Sequence, residues 1–246
     1  MDPLPEPIPA ATLVLMRPGP GAPEILMIER GAGMAFAPGA LVFPGGRVDP
    51  DDLLLGGNAV DAAKIAAIRE TIEETGIAVA LDPAPDDETE ATLRDALAAG
   101  TLFSELLERH ALTPRLGALV PFARWCPTFK ETRRFDTLFF IARAPAFSSL
   151  PSGDAGESAR ALWATARVVL ERARAGEAHI IFPTRRNLER LAGFSSFEDA
   201  AADAERCGAE KIVPWIEQRD GAAWLCIPTD RGYPVTAELL ETAKRR

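Results

Sequence analysis

Apolar residues dominate two short stretches near the start, ATLVLM at 11 to 16 and EILMI at 24 to 28. Between them, RPGPGAP is rich in proline and glycine and predicts a turn, so the chain opens on a hairpin of two strands. ALVF, 40 to 43, predicts a third short strand that Pro44, Gly45 and Gly46 halt. From Asp61 to Thr75 the period changes: Ile65, Ile68 and Ile72 recur at i, i+3 and i+7, as one face of a helix requires. Asn58 or Asp61 can cap its start, and Gly76 stands where a C-terminal cap belongs. Residues 82 to 116 begin polar and proline-containing, then turn helical at TLRDALAAG and LFSELLERHAL, which predicts an inserted helical segment. The stretch 119 to 144 alternates, and RFDTLFFIA within it is a strong strand candidate. Helical patterns return at 159 to 174, 184 to 192 and 196 to 206, and KIVPWI and AAWLCIP predict a final pair of strands. No repeat and no linker interrupts the pattern, so the expectation is one α/β domain over 1 to 246, a helix-sheet-helix sandwich with a mixed sheet.

Composition narrows the function classes. The 246 residues are 47% hydrophobic and 26% charged, an ordinary globular mixture. A net charge of -9 leaves no broad basic surface for a nucleic-acid backbone or an anionic membrane, so neither is an expected partner. Cys126, Cys207 and Cys226 are scattered and odd in number, which argues against a disulfide scaffold and for a reducing compartment. With no secretory leader pattern and no apolar run long enough for a membrane span, the expected location is cytoplasmic.

The predicted helix breaks local rules in one place. Glu70, Glu73 and Glu74 are spaced three and four apart, on the side roughly opposite the isoleucines, where like charges repel. They also crowd the end that disfavours negative charge. A solvated acidic face is the ordinary meaning of E-x-x-E-E. Here Arg69 stands beside it, able to hold carboxylates in a fixed orientation, and VFPGG upstream offers glycines for close backbone approach to a phosphate or metal. Carboxylate oxygens from one rigid turn suit a hard divalent cation such as Mg2+ or Mn2+, and two isolated histidines do not suit zinc.

In the order strand, Pro-Gly-Gly, then a helix carrying R-E-x-x-E-E-x-G, the sequence resembles the Nudix hydrolase family, whose signature is G-x5-E-x7-R-E-U-x-E-E-x-G-U with U apolar. Gly46 stands at the leading glycine, and Arg69, Glu70, Glu73, Glu74, Gly76 and Ile77 match the second half. Thr71 replaces an apolar residue. Asp61, eight residues before Arg69, is taken as the first acid, and this places an insertion of nine residues within RVDPDDLLLGGNAV. The lengthened loop, TRRFDTLFF, Trp125 and the helical insert together resemble the peroxisomal coenzyme A diphosphatase branch. LMIERGAGMAFAPGALVFPGG keeps Arg30, Gly39 and Phe43 to Gly46 of a coenzyme A motif, with Ile28, Gly31 and Ala35 replacing its Thr, Ser and second Arg.

The resemblance implies hydrolysis of a diphosphate linkage in a nucleoside diphosphate derivative, with coenzyme A or an acyl-coenzyme A as favoured substrate. ADP-ribose, NADH and dinucleoside polyphosphates are alternatives, as is an inactive nucleotide-binding domain. It implies Mg2+ or Mn2+ held by Glu70, Glu73, Glu74 and the carbonyl of Gly45. Glu74, Glu70 or, from SGDAGES, Glu157 would be the base, with Arg69 completing the catalytic set. Arg30, Gly46, Arg133, Arg134 and Glu157 would meet substrate, and a homodimer is the assembly common in the family. Phe135, Phe139 and Phe140, with Trp215 and Trp224, are expected in the core. Trp163 is expected to pack a helix on the sheet, and the cysteines are expected to be buried thiols.

Overall fold

The computed structural model describes residues 5–30, 39–127, 134–145 and 159–245. The opening hairpin is β1 (Ile8–Arg17) and β2 (Glu24–Arg30), antiparallel with Met16 opposite Ile25. Strand β3 (Leu41–Val42) follows, and the glycine pair is itself a short strand, β4 (Gly45–Arg47), instead of a plain stop. Backbone hydrogen bonding to β1, with Thr12 opposite Gly45, is what extends it.

Next come α1 (Pro50–Gly56) and α2 (Ala59–Thr75), then β5 (Leu81–Asp82), α3 (Asp87–Ala98), α4 (Phe103–Arg109) and β6 (Thr113–Pro114). The helical insert is therefore present as α3 and α4. Strands β7 (Val120–Trp125), β8 (Phe135–Arg143) and β9 (Ala159–Thr165) precede α5 (Ala166–Arg174), α6 (Phe182–Leu191) and α7 (Phe197–Cys207). After β10 (Lys211–Ile212), the strands β11 (Trp215–Arg219), β12 (Ala222–Cys226) and β13 (Ala237–Leu239) form a small separate sheet, and α8 (Leu240–Arg245) closes the described chain.

The main sheet runs β10-β7-β8-β1-β2-β3, with β4 on β1 and β9 on β2. It is mixed: β1 lies parallel to β8 and antiparallel to β2, because the crossover through α1 to α4 returns the chain in the same direction. Central β1 is buried on both faces, which explains its continuous apolar run. Ala11, Leu13 and Leu15 join Ile65, Ile68 and Ile72 of α2 in one core, while Val14 and Met16 join Val169 and Leu188 of α5 and α6 in the other. Helices on both faces give the expected α/β/α sandwich.

Several local expectations change. Residues 159 to 165 form β9 and not the start of a helix, since pairing along the whole of β2 satisfies their backbone. Trp163 therefore sits on a strand, partly buried against the α2-side core. Phe139 and Phe140 are core residues as expected, but Phe135 is half-buried and Trp215 is 43% exposed on the small sheet. Trp224 and Cys207 are half-buried, whereas Cys126 and Cys226 are buried free thiols.

Candidate active site

Helix α2 starts where the Asn58 side chain accepts the amide protons of Val60 and Asp61, and it ends at Gly76 in the left-handed conformation with φ 74°. Thr71 occupies the apolar slot of the motif without penalty because its hydroxyl donates to the carbonyl of Ala67 one turn back (2.7 Å). Both features fix the phase of the acidic turn against the sheet.

Arg69 organises that turn from a buried position. Its Nε donates to Asp52 Oδ1 (3.1 Å), and its Nη2 donates to Asp52 Oδ2 (2.9 Å) and to the carbonyl of Arg47 (3.0 Å). Its Nη1 donates to Glu70 Oε1 (2.9 Å), while Glu73 and Asp49 approach it at 3.6 Å. Burial opposes the charge of Arg69, but the hydrogen bonds and charges of Asp52 and Glu70 more than reverse this and hold its pKa above the ordinary arginine value.

Asp52 is fully buried and also accepts the Asp49 amide proton (2.8 Å). This corrects the alignment of the signature. Asp61 does not meet Arg69: it pairs with Asn58 Nδ2 (2.7 Å) and Lys64 (3.8 Å) at the start of α2. Asp52 is the residue six positions after Gly46, the family spacing, so the nine extra residues lie after the first acid. They form the end of α1, the Gly56-Gly57 turn and the first turns of α2. Counting forward from Gly46 would have found Asp52; counting back from Arg69 did not. Next to it, Asp51 accepts the Ser104 hydroxyl (2.6 Å) and amide (2.9 Å), tying α1 to α4 of the helical insert.

The glycine strand touches the acids directly. Gly45 N–H donates to Glu74 Oε2 (3.0 Å). A Cβ at Gly45 would lie 2.4 Å from the carbonyl oxygen of Ala11, so the close pairing with β1 needs glycine. A Cβ at Gly46 would lie 2.3 Å from the Glu70 carboxylate, so Gly46 makes the space that Glu70 fills. Arg30, at the end of β2, lies within electrostatic range of Glu74, and its Nε is buried with no hydrogen-bond partner among the described residues. Arg134 is placed otherwise: it donates to the carbonyls of Pro5 (3.0 Å) and Pro127 (3.4 Å) and makes no bond to the acidic cluster. Glu157, Arg133, Gly31 and Ala35 lie outside the described residues.

The electrostatics follow from this crowding. Burial pushes the Glu74 carboxyl up to about 7, and the charges of Glu70 and Glu73 add to that, against the Gly45 amide and Arg30. Burial pushes Glu70 up to about 6 despite Arg69, and Glu73 is also raised, first by burial. Among the described residues, no three acidic, histidine or cysteine side chains already converge as a metal cage, since Glu70 turns to Arg69 and Glu74 to Gly45. The donor set nevertheless fits a hard divalent cation: oxygen atoms only, from one rigid turn, with more carboxylates than neighbouring cations.

No family model matches the chain. Individual proteins do. It is 28% identical over 281 aligned positions to a Gallus gallus protein named acyl-coenzyme A diphosphatase NUDT19, covering 88% of this chain and 74% of that one. A Caenorhabditis elegans putative nudix hydrolase 7 is 47% identical over 54 residues, 22% of this chain and 17% of that one. The crystal structure of a NUDIX hydrolase from Alicyclobacillus acidocaldarius superposes with a TM-score of 0.71 at 29% identity, covering 80% of this chain and 96% of that chain. With the acidic turn, its arginine and the glycine strand in place on this fold, the chain is similar to Nudix hydrolases of the NUDT19 branch, and this likeness supports an enzyme acting on phosphorus-containing acid anhydrides.

Proposed function

We propose that the protein is a Mg2+-dependent pyrophosphohydrolase that cleaves the diphosphate of coenzyme A or an acyl-coenzyme A to adenosine 3',5'-bisphosphate and a 4'-phosphopantetheine product. The observation that carries this reading is the surplus of carboxylates on α2 beside the Gly45-Gly46 strand. The name carried by the Gallus gallus relative and the kept residues of the coenzyme A motif, Arg30, Gly39 and Phe43 to Gly46, favour this substrate.

Glu70, Glu73 and Glu74, with the Gly45 carbonyl, would hold the cation. When bound, Mg2+ or Mn2+ neutralises charge on diphosphate oxygens and acidifies a water molecule. Glu74 or Glu70 would accept the proton of the attacking water. Arg69 is a positioning residue, because its guanidinium is spent on Asp52, Glu70 and the Arg47 carbonyl. Arg30, whose Nε lacks a partner, would meet a substrate phosphate. Free thiols at Cys126, Cys207 and Cys226 fit a reducing compartment such as the cytoplasm.

A panel of nucleotides assayed with Mg2+, with products identified by mass spectrometry, tests the reading. Coenzyme A is expected to give the bisphosphate and the phosphopantetheine. Turnover of ADP-ribose, NADH or a dinucleoside polyphosphate with coenzyme A left intact would reject the substrate.

A further inference from the structure

Strand β9 pairs with β2 on one side, and among the described residues its other edge is free. A groove of about 510 Å3 wraps that edge, lined by Arg17, Glu29, Arg160, Leu162, Trp163 and Arg172. Its volume is that of a small-molecule site. Its chemistry is uneven in a way that a solvated surface is not. Arg17 lies over the Trp163 ring at 4.4 Å and pairs with Glu24 at 2.7 Å, forming a fixed, flat wall. Arg160 and Arg172 make no ion pair or side-chain hydrogen bond among the described residues, although Arg172 is half-buried. Two free guanidiniums facing one cavity beside an aromatic wall provide forked donors for a phosphate and a surface for a planar ring. Glu29, the acid in the groove, is an acceptor that suits the amino group of a base.

One rim of the groove adjoins the candidate active site in sequence, on β2. Glu29, which lines it, precedes Arg30, the arginine beside Glu74, and the register sets Glu29 opposite Arg160 and Arg30 opposite Ala159. We propose that the groove along β9 is a nucleoside-phosphate subsite: Arg160 and Arg172 take a phosphate monoester, and the Arg17–Trp163 wall with Glu29 takes the base. Under the coenzyme A reading on which this assignment rests, the monoester is the 3'-phosphate, a group that ADP-ribose and NADH lack.

Calorimetric titration of the full chain with adenosine 3',5'-bisphosphate and with adenosine, in EDTA so that no cation bridges to the acidic turn, tests the site directly. The bisphosphate is expected to bind at least about tenfold tighter than adenosine, and an Arg160→Ala/Arg172→Ala variant, checked for folding by circular dichroism, to lose that preference. Equal binding of the two ligands, or a preference that survives in the variant, would overturn the subsite. In steady-state assays the same variant is expected to raise KM for coenzyme A about tenfold and to leave kcat within about twofold. If coenzyme A is hydrolysed with KM unchanged in the variant, the subsite falls and the substrate reading stands. If coenzyme A is not hydrolysed but arginine-dependent binding of the bisphosphate persists, the substrate reading falls and the subsite stands.

Discussion

Two buried arginine networks flank the sheet, and they differ in charge balance. On the α6 side, the buried Arg185, Arg186 and Arg190, with the exposed Arg206, face Glu189, Glu238 and Asp203, so that every carboxylate has at least one cation. Arg190 donates to Asp203 (2.8 Å) and to the carbonyl of Phe122 (2.9 Å) and lies 4.0 Å over the Phe122 ring. Nearby, burial pushes the Tyr233 hydroxyl up to about 12, so it stays a neutral donor to Asn187 (2.8 Å) while accepting from Trp125 (3.0 Å). On the α2 side, four carboxylates lie within 4 Å of the single Arg69, and Glu74 is a fifth acid that bonds only to an amide. Burial raises the Glu189 carboxyl as well as those of α2, so a raised carboxyl does not separate the two networks. The ratio of acids to cations does. A balanced network holds the fold, and the unbalanced one, on the function proposed above, is the site that a cation would complete.

The largest expected effect follows from removing a surplus acid. Glu74→Gln is expected to lower kcat with Mg2+ by about 10^2 to 10^4-fold, without lowering the thermal midpoint of the metal-free protein. A large loss of stability with turnover retained would place Glu74 in the structural class. Cutting the balanced network should do the reverse. Arg190→Met leaves Asp203 only the exposed Arg206 as an ion-pair partner and removes the bond to the Phe122 carbonyl, and is expected to cost about 3 kcal/mol in urea unfolding, with kcat of the folded protein changed less than about twofold. Asp52→Asn joins the two outcomes, because Asp52 is fully buried and its charge fixes Arg69. We expect a loss of about 3 kcal/mol or more together with a fall in kcat.

A gentler probe is pH. Glu74 has a folded pKa of about 7 against an ordinary 4.5, so the folded state binds more protons than the unfolded chain between those values. Stability of the metal-free protein should therefore fall as pH rises from about 4.5 to about 7, and the gain from Mg2+ should be larger at pH 7.5 than at pH 5. Melting curves with and without the cation read both. The smallest expected change is Gly46→Ala: the Cβ displaces the flexible end of Glu70, which should lower kcat by about tenfold with little change in the urea midpoint.

The acidic turn was legible in the sequence because repulsion at i, i+3 and i+4 beside an arginine is a local anomaly, and the cap residues Asn58 and Gly76 bounded it. The first acid was not legible by counting back from Arg69, since an inserted turn changes spacing without altering any residue type, and Asp52 looks like one of several acids in VDPDD. Strand β9 was missed for a different reason. ARALWAT has three alanines in seven residues and reads as helix, yet the open edge of β2 offers seven residues of pairing and overrides that propensity. The role of Arg134 depended on two carbonyls, the nearby Pro127 and the distant Pro5, that no periodicity reveals.

Direct titration with Mn2+, followed by electron paramagnetic resonance of the free ion, tests the surplus-charge account most simply. Wild-type protein is expected to deplete the free Mn2+ signal with one site per chain, and a Glu70→Gln/Glu74→Gln variant to weaken that site by at least about tenfold. Binding of Mn2+ that is unchanged in this variant would contradict the assignment of the α2 carboxylates as the cation site.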